Sequence, residues 1–384
     1  DATPPTSVDA AEGTTPAAEP AAPEPAPPAS ETPAPAEVPA APATPPSTMP
    51  DVPPAPAAAA PAIAPSSAAA EQQRFEQFRR DLVNLLALRA DPDLLVAAAE
   101  LALPDSTDKA RPAALKSPAL IKRAQKFGPQ SPLVWWVSTF LDCGADGANC
   151  KADAAAKLAQ VAGDNAAAWL PSLHVAKDPG QARALLSSMA QAQRFDDFWT
   201  AGVLAVFLAL QTLPVPAEVL SQGLNSTAAR VNFATGVGGG FLPNYARLGE
   251  LCSPQDKSDE ALVADCLAVA KLLENGGTFR SQAIGFGIED SLLPAGTARD
   301  VLRSRQRSSA WQKQQFLDLS GRFPRDAALT QAYIDLLREH DSELTTVTAL
   351  LRAQHVQTDP PAGWQPPDSN PTKAPDPLSV PPAH

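Results

Sequence analysis

The residues able to do chemistry are few and poorly placed for it. Four histidines, His174, His340, His355 and His384, are scattered so widely that no two stand at metal-ligand spacing, and no H-E-x-x-H occurs. His340, between Glu339 and Asp341, reads as a solvated helix end, and His174, near Lys177, as a structural helical residue. No G-x-S-x-G nucleophile turn is present. Two dipeptides, Asp196-Asp197 and Glu289-Asp290, carry adjacent carboxylates. Helical neighbours point about 100° apart, so neither dipeptide sets two acids on one face as a glycoside hydrolase requires. Gly236-Val-Gly-Gly-Gly240 invites a phosphate-loop reading, but Phe241, Leu242 and Pro243 follow where Gly-Lys-Ser/Thr is needed. A hinge or a close backbone contact is the expectation there. Arg299, Arg303, Arg305 and Arg307, with Lys313, make the one dense basic patch. On a helix, Arg299, Arg303 and Arg307 share a face. That face can grip a phosphate, a carboxylate or an acidic partner, this chain's own acidic leader included, or it is simply solvated. No metal site and no cofactor is expected from these residues.

The four cysteines form two sequence-local pairs. Cys143 and Cys150 bracket Gly-Ala-Asp-Gly-Ala-Asn, and Cys252 and Cys266 bracket a loop that runs into a helix. Three connectivities are open to four cysteines; local pairing, each bond a staple across a helix–loop–helix corner, is the reading adopted. Zinc sites favour two to four residues between ligands, whereas the gaps here are six and thirteen. Free structural thiols are the other alternative. Disulfides imply an oxidising compartment. Asn225-Ser226-Thr227 fits an N-glycosylation acceptor, which matters only in a eukaryotic secretory route.

The elements that must position these residues are helices. Ile occurs five times and Tyr twice in 384 residues, so strand formers are scarce. Apolar stripes recur at helical spacing: Phe75, Phe78, Leu82, Leu85 and Leu86; Leu262, Cys266, Val269, Ala270 and Leu273; Leu329, Tyr333, Leu336 and Leu337; Leu344, Val347, Leu350 and Leu351. Start signals stand at Asp164-Asn165, Asp178-Pro179 and Asp341. Breakers at Pro129, Gly163, Pro214, Gly223, Pro254, Gly276-Gly277, Pro294 and Pro324 cut the body into some twelve to fifteen helices. Residues 164–200, with Trp169 in a first helix and Ala184 to Phe195 in a second, resemble a tetratricopeptide-type helical hairpin. Pro171 and Leu173 depart from that family's pattern, and the next segment does not repeat at its period. The resemblance implies an α-hairpin solenoid in preference to a closed bundle. The expected fold is all-α: an irregular α-hairpin solenoid or multi-helix array over 71–357.

The flanks are different in kind. Of 43 prolines, residues 1–70 hold 20 and residues 359–384 hold 9. The first 70 residues carry eight acids, no Lys or Arg and no aromatic residue. Such a composition buries too little apolar surface to offset chain entropy, so 1–70 is expected to be a disordered acidic spacer and 358–384 a disordered Pro-rich tail, with Trp364 its one anchor. The chain opens on Asp1, consistent with a removed signal peptide, and no lipobox cysteine stands first. The longest strongly apolar run, Ala201 to Leu210, is about half the roughly 20 residues that span a bilayer, and reads as a buried core helix. A net charge of −12 argues against nucleic acid. Two functions fit. One is an exported, non-catalytic α-helical scaffold of the bacterial cell envelope, periplasmic or secreted, that binds a protein partner. The alternative is an envelope hydrolase acting on cell-wall material through a groove carboxylate such as Glu289 or Asp290.

Overall fold

A computed structural model describes residues 65–105, 108–141, 147–215, 226–253, 258–340 and 342–367. The chain divides at Pro61; the spacer expected over 1–70 falls outside these residues up to position 64, as does the tail beyond 367. The described residues are all-α. The helices are α1 (Pro65–Leu86), α2 (Pro92–Leu101), α3 (Ser117–Phe127), α4 (Pro132–Ser138), α5 (Gly147–Val161), α6 (Leu170–Val175), α7 (Pro179–Ala190), α8 (Trp199–Ala209), α9 (Ser226–Gly238), α10 (Ala246–Leu251), α11 (Glu260–Glu274), α12 (Phe279–Leu292), α13 (Thr297–Ser320), α14 (Ala327–Glu339) and α15 (Glu343–Ala353). Among the described residues the one β feature is an isolated bridge between Asn165 and Arg194.

Local chemistry sets the helix starts. Asp91, Ser131 and Asp178 each accept from backbone N–H groups of the first turn, and each is followed by a proline whose missing N–H costs nothing there. Asn165 and Asp259 cap their turns in the same way. α15 is capped by Ser342, not by the expected Asp341, which lies outside the described residues. α1 begins at Pro65, six residues before the boundary expected at 71. The Gly236–Gly240 run is helical: it closes α9 and continues as a 3-10 turn. Gly238 permits a close approach to α8, since a Cβ there would lie 2.9 Å from Val203 Cγ2 and 3.1 Å from its backbone nitrogen.

Two hydrophobic cores result. The first is built from α1 to α4, α8, α9, α14 and α15, with Trp136 fully buried and its indole N–H donated to the carbonyl of Phe241 at 3.0 Å. The Ala201–Leu210 run lies inside it, as a core helix should. The second is built from α6, α7, α10, α11 and α12, and takes in Cys252 and Cys266. All five residues of the Leu262–Leu273 stripe are buried in it.

The seam between the cores is polar. Asp197, in the link from α7 to α8, accepts from the Thr278 hydroxyl at 2.7 Å. Asn165 both donates to the carbonyl of Asp196 and accepts its N–H, each at 2.8 Å. Glu343, at the start of α15, accepts the Phe279 N–H at 3.0 Å, and its own N–H is donated to Gly277 at 2.7 Å. Burial pushes Asp197 up to about 6, with the Asp196 charge adding to the effect and the Thr278 hydroxyl opposing it. Burial likewise raises Glu343 to about 7, against the Phe279 N–H and with the help of the Asp197 charge. Asp196 and Asp197 thus lie in an extended link and not on a helix, and they serve as the tie between cores.

A second buried ionic group locks α1 to the turn after α2. Arg79 donates to the Leu101 carbonyl at 2.6 Å and to Asp105 at 2.8 Å, and also pairs with Glu76; Arg111 stands 3.3 Å from Asp105. Burial alone would raise Asp105, but the Arg79 bond and the charges of Arg79, Arg80 and Arg111 outweigh it and hold the carboxyl below its usual range.

α15 ends in a Schellman turn. The Val356 N–H reaches Leu351 at 2.8 Å, the His355 N–H reaches Arg352 at 3.0 Å, and His355 takes φ 56°. Glycine holds that conformation without strain. His355→Gly is therefore expected to raise stability by about 0.5–1 kcal/mol, read as a higher denaturant midpoint at unchanged slope.

Candidate functional site

The best-formed polar site lies where α13 crosses the α11–α12 hairpin. α11 and α12 approach closely at Gly285, where a Cβ would fall 2.6 Å from the Ala270 carbonyl and 2.8 Å from the Glu274 nitrogen. That contact brings two acids together. Glu274 ends α11 with its side chain 5 % exposed; Glu289, one turn beyond Gly285, is 13 % exposed and 3.8 Å from the Lys271 ammonium. α13 supplies Arg305, whose Nη2 clamps both oxygens of Glu289 at 3.0 and 2.9 Å while its Nη1 pairs with Glu274.

The two carboxyls part company electrostatically. Burial raises Glu274, the Glu289 charge raises it further, and Arg305 and Lys271 only partly offset this. Glu289 resists its own burial because it faces Arg305 and Lys271, so it is held below its usual range. The buried Oε1 of Glu274 has no hydrogen-bond partner.

A cleft of about 480 Å³ opens beside these residues, walled by Gln282, Phe286, Ser304, Ser308, Ser309 and Gln312. It shares Glu274, Asn275, Gln282 and Gln312 with a neighbouring cleft of about 460 Å³ that runs toward His340, Ser342, Thr345, Thr348 and Arg352. Together they form one polar groove along α13 and α15. His340 stands at its far end. His174 lines a separate, more apolar cleft of about 500 Å³ with Trp136, Phe140, Lys151 and Asn244.

The expected basic face is divided among other tasks. Arg299 donates to the carbonyls of Asp290 and Leu293, at 2.7 and 2.5 Å, and so ties off the end of α12; its Nε stands 3.4 Å from Asp290 Oδ1. Arg303 is exposed, 3.8 Å from Asp300. Arg307 has a buried Nε with no partner. Arg305, about 200° around the helix from Arg303, is the arginine that enters the groove. Glu289 points into the site and Asp290 outward to Arg299. Glu274 was not singled out in the sequence, although it lies four residues after Ala270 and so continues the buried stripe as an acid at a core position.

Cys252 and Cys266 are bonded, with their Cα atoms 5.6 Å apart. The bond pins the end of α10 to α11, the helix that carries Glu274. Cys143 and the side chain of Cys150 lie outside the described residues, as do Asn225 and His384. Among the described residues no three His, Cys, Asp or Glu side chains gather as a metal cage would require. Replacing Cys252 and Cys266 by serine is expected to cost about 2–3 kcal/mol, seen as a lower melting point that a reductant no longer shifts through this bond.

Compared with known proteins, the chain matches no family model, no curated protein and no solved structure.

Proposed function

We propose that this chain is an exported, non-catalytic α-helical scaffold of the bacterial cell envelope that offers its α13 groove to a protein partner. The observation that carries the reading is the groove itself. Its acids are balanced by Arg305 and Lys271, and its walls are polar: Gln282, Ser309, Asn275 and Thr348 are hydrogen-bonded within the body, and Ser304 and Ser308 line the opening beside them. The Cys252–Cys266 bond supports an oxidising compartment, and no described helix is long and apolar enough to cross a membrane. The acidic, Pro-rich leader acts in this reading as a spacer that holds the body away from its attachment.

In-cell photo-crosslinking tests it. A photoreactive residue in place of Gln282 is expected to trap one discrete envelope protein, and Ser308→Trp, which fills the groove, to abolish the adduct. Absence of any adduct from Gln282 and from Ser304 would overturn the proposal. One feature favours a second reading, the hydrolase: burial and the Glu289 charge raise Glu274 to about 7, while Arg305 and Lys271 help hold Glu289 below its usual range, a division of the kind acid–base catalysis uses. Release of soluble fragments from cell-wall polymer by the purified protein, abolished in Glu289→Gln, would put that reading in its place. The scaffold reading is preferred because Arg305 already clamps both carboxyls and Glu274 is almost wholly enclosed.

A further inference from the structure

The joint between the two cores is made of acids with no base paired to them. Thr278 and Phe279 are consecutive residues at the start of α12. Thr278 donates its hydroxyl to Asp197 at 2.7 Å, and Phe279 donates its N–H to Glu343 at 3.0 Å. Asp197 comes from the link just before α8 and Glu343 from the first turn of α15, so two helices of the first core hold one turn of the second. The fit is close: a Cβ on Gly277 would lie 3.1 Å from Asp197 Oδ1, and Asp197 is 1 % exposed. Among the described residues neither carboxyl forms an ion pair.

The surroundings are mostly of one sign. From the same link, Asp196 adds its charge, itself 3.3 Å from Arg194. From the start of α10 comes Tyr245, whose buried hydroxyl has no hydrogen-bond partner and whose ring lies under Arg280 of α12 at 5.9 Å. α14 contributes Tyr333, which feels the Glu343 charge, and α13 contributes Lys313, the positive charge that opposes the burial of Glu343. Two carboxylates on one dry turn repel each other and lose their water, and the bonds from Thr278 and Phe279 offset only part of that cost. Burial accordingly lifts Asp197 from 3.8 to about 6 and Glu343 from 4.5 to about 7. The closed joint therefore binds protons more tightly than an opened, wetted one. Its stability is full below about pH 4 and is lost as pH rises through 6 and 7.

The groove straddles this joint. Asn275, Gly276 and Gln282 line it from the second core, and Ser342, Thr345 and Arg352, on either side of Glu343 in the chain, line it from the first. Whatever parts the two cores at Thr278 and Phe279 must move these walls.

We infer that Asp197 and Glu343 form an acid-tightened clasp on the first turn of α12, closed while both are protonated and opened as they ionise, and that its opening widens the groove between α13 and α15. The inference rests on the partner-binding reading of the groove only for what the opening serves. Its test uses no partner, so the two can fail separately.

The test is hydrogen exchange on the full chain at pH 5 and pH 7.5, corrected for the intrinsic pH dependence of amide exchange. The Phe279 and Glu343 amides, which make the joint's backbone bonds, are expected to lose protection at least about thirtyfold over that interval, since each pH step is worth up to tenfold for each group. Glu343→Gln, which keeps an oxygen for the Phe279 N–H, should cut the response at least about fivefold, and adding Asp197→Asn should abolish it. Glu100→Gln, which alters no group of the joint, should leave it in place. A pair of spin labels on unnatural residues at the exposed positions Asn275 and Arg352 should move apart at pH 7.5 in the native chain and not in the Glu343→Gln chain. Equal protection at the two pH values, a loss that survives Glu343→Gln and the double variant, or a label distance that ignores pH would each overturn the inference.

Discussion

Glu100→Met is expected to stabilise the protein by about 3–5 kcal/mol more at pH 8 than at pH 4.5, where it relieves only the burial of an unpartnered neutral carboxyl. Glu100 sits on α2, 3 % exposed, in a helix whose neighbours on either side are core alanines and leucines. Neither of its carboxyl oxygens has a hydrogen-bond partner. Burial alone pushes the group up to about 8 from an ordinary 4.5. The sign follows. The folded state holds the proton more tightly than the unfolded chain, so this group's contribution is fully present below about pH 4.5 and is lost as pH climbs toward 8. At about 1.4 kcal/mol for each pH step, the loss across that interval is roughly 4–5 kcal/mol. Methionine fills a similar volume and has no proton to lose. Glu100→Gln should remove the pH dependence while keeping a buried polar group without a partner, and so should gain less. Guanidinium unfolding of the three proteins at pH 4.5 and pH 8 decides the matter. Parallel losses in all three between those pH values would show that Glu100 is not the source.

Gly285→Val is expected to cost about 3–4 kcal/mol, more than any effect of helix propensity, which by itself favours replacing glycine by up to about 1 kcal/mol. The atoms that a Cβ would meet are backbone, the Ala270 carbonyl at 2.6 Å and the Glu274 nitrogen at 2.8 Å. Backbone cannot rotate aside, so the two helices must part. The parting also separates Glu289 from Glu274, and Glu274 then loses the carboxylate that raises it. A fall in stability together with a downward movement of the Glu274 titration, followed by carbon-13 carboxyl NMR, is the expected joint result. A stable variant with an unchanged titration would mean that the hairpin tolerates the side chain.

How far the sequence foretold this depends on the kind of signal. The all-helical body was legible because its stripes repeat over three or four turns, and Leu262 through Leu273 are buried as the spacing requires. The local pairing of Cys252 with Cys266 was legible because a short loop between two helices leaves few partners in reach. The site was half legible. Arg299, Arg303 and Arg307 were grouped by a helical wheel, which reports which residues share a face but not which face meets a neighbour; the face that meets the hairpin carries Arg305. Asp196 and Asp197 were read on a helix that the chain does not form, because the seam's hydrogen bonds to Asn165 and Thr278 hold that link extended. Gly285 was overlooked beside more conspicuous glycine pairs, since a helical glycine discloses its purpose only when the other helix is in place.

The seam has a mechanical meaning. Hydrogen bonds have short reach and fail together once water enters, whereas greasy surfaces slide before they separate. A body whose two cores are tied by Asp197, Asn165 and Glu343 should break there like a brittle joint, and hydrogen exchange should find two separately protected blocks where one continuous core would show a single one.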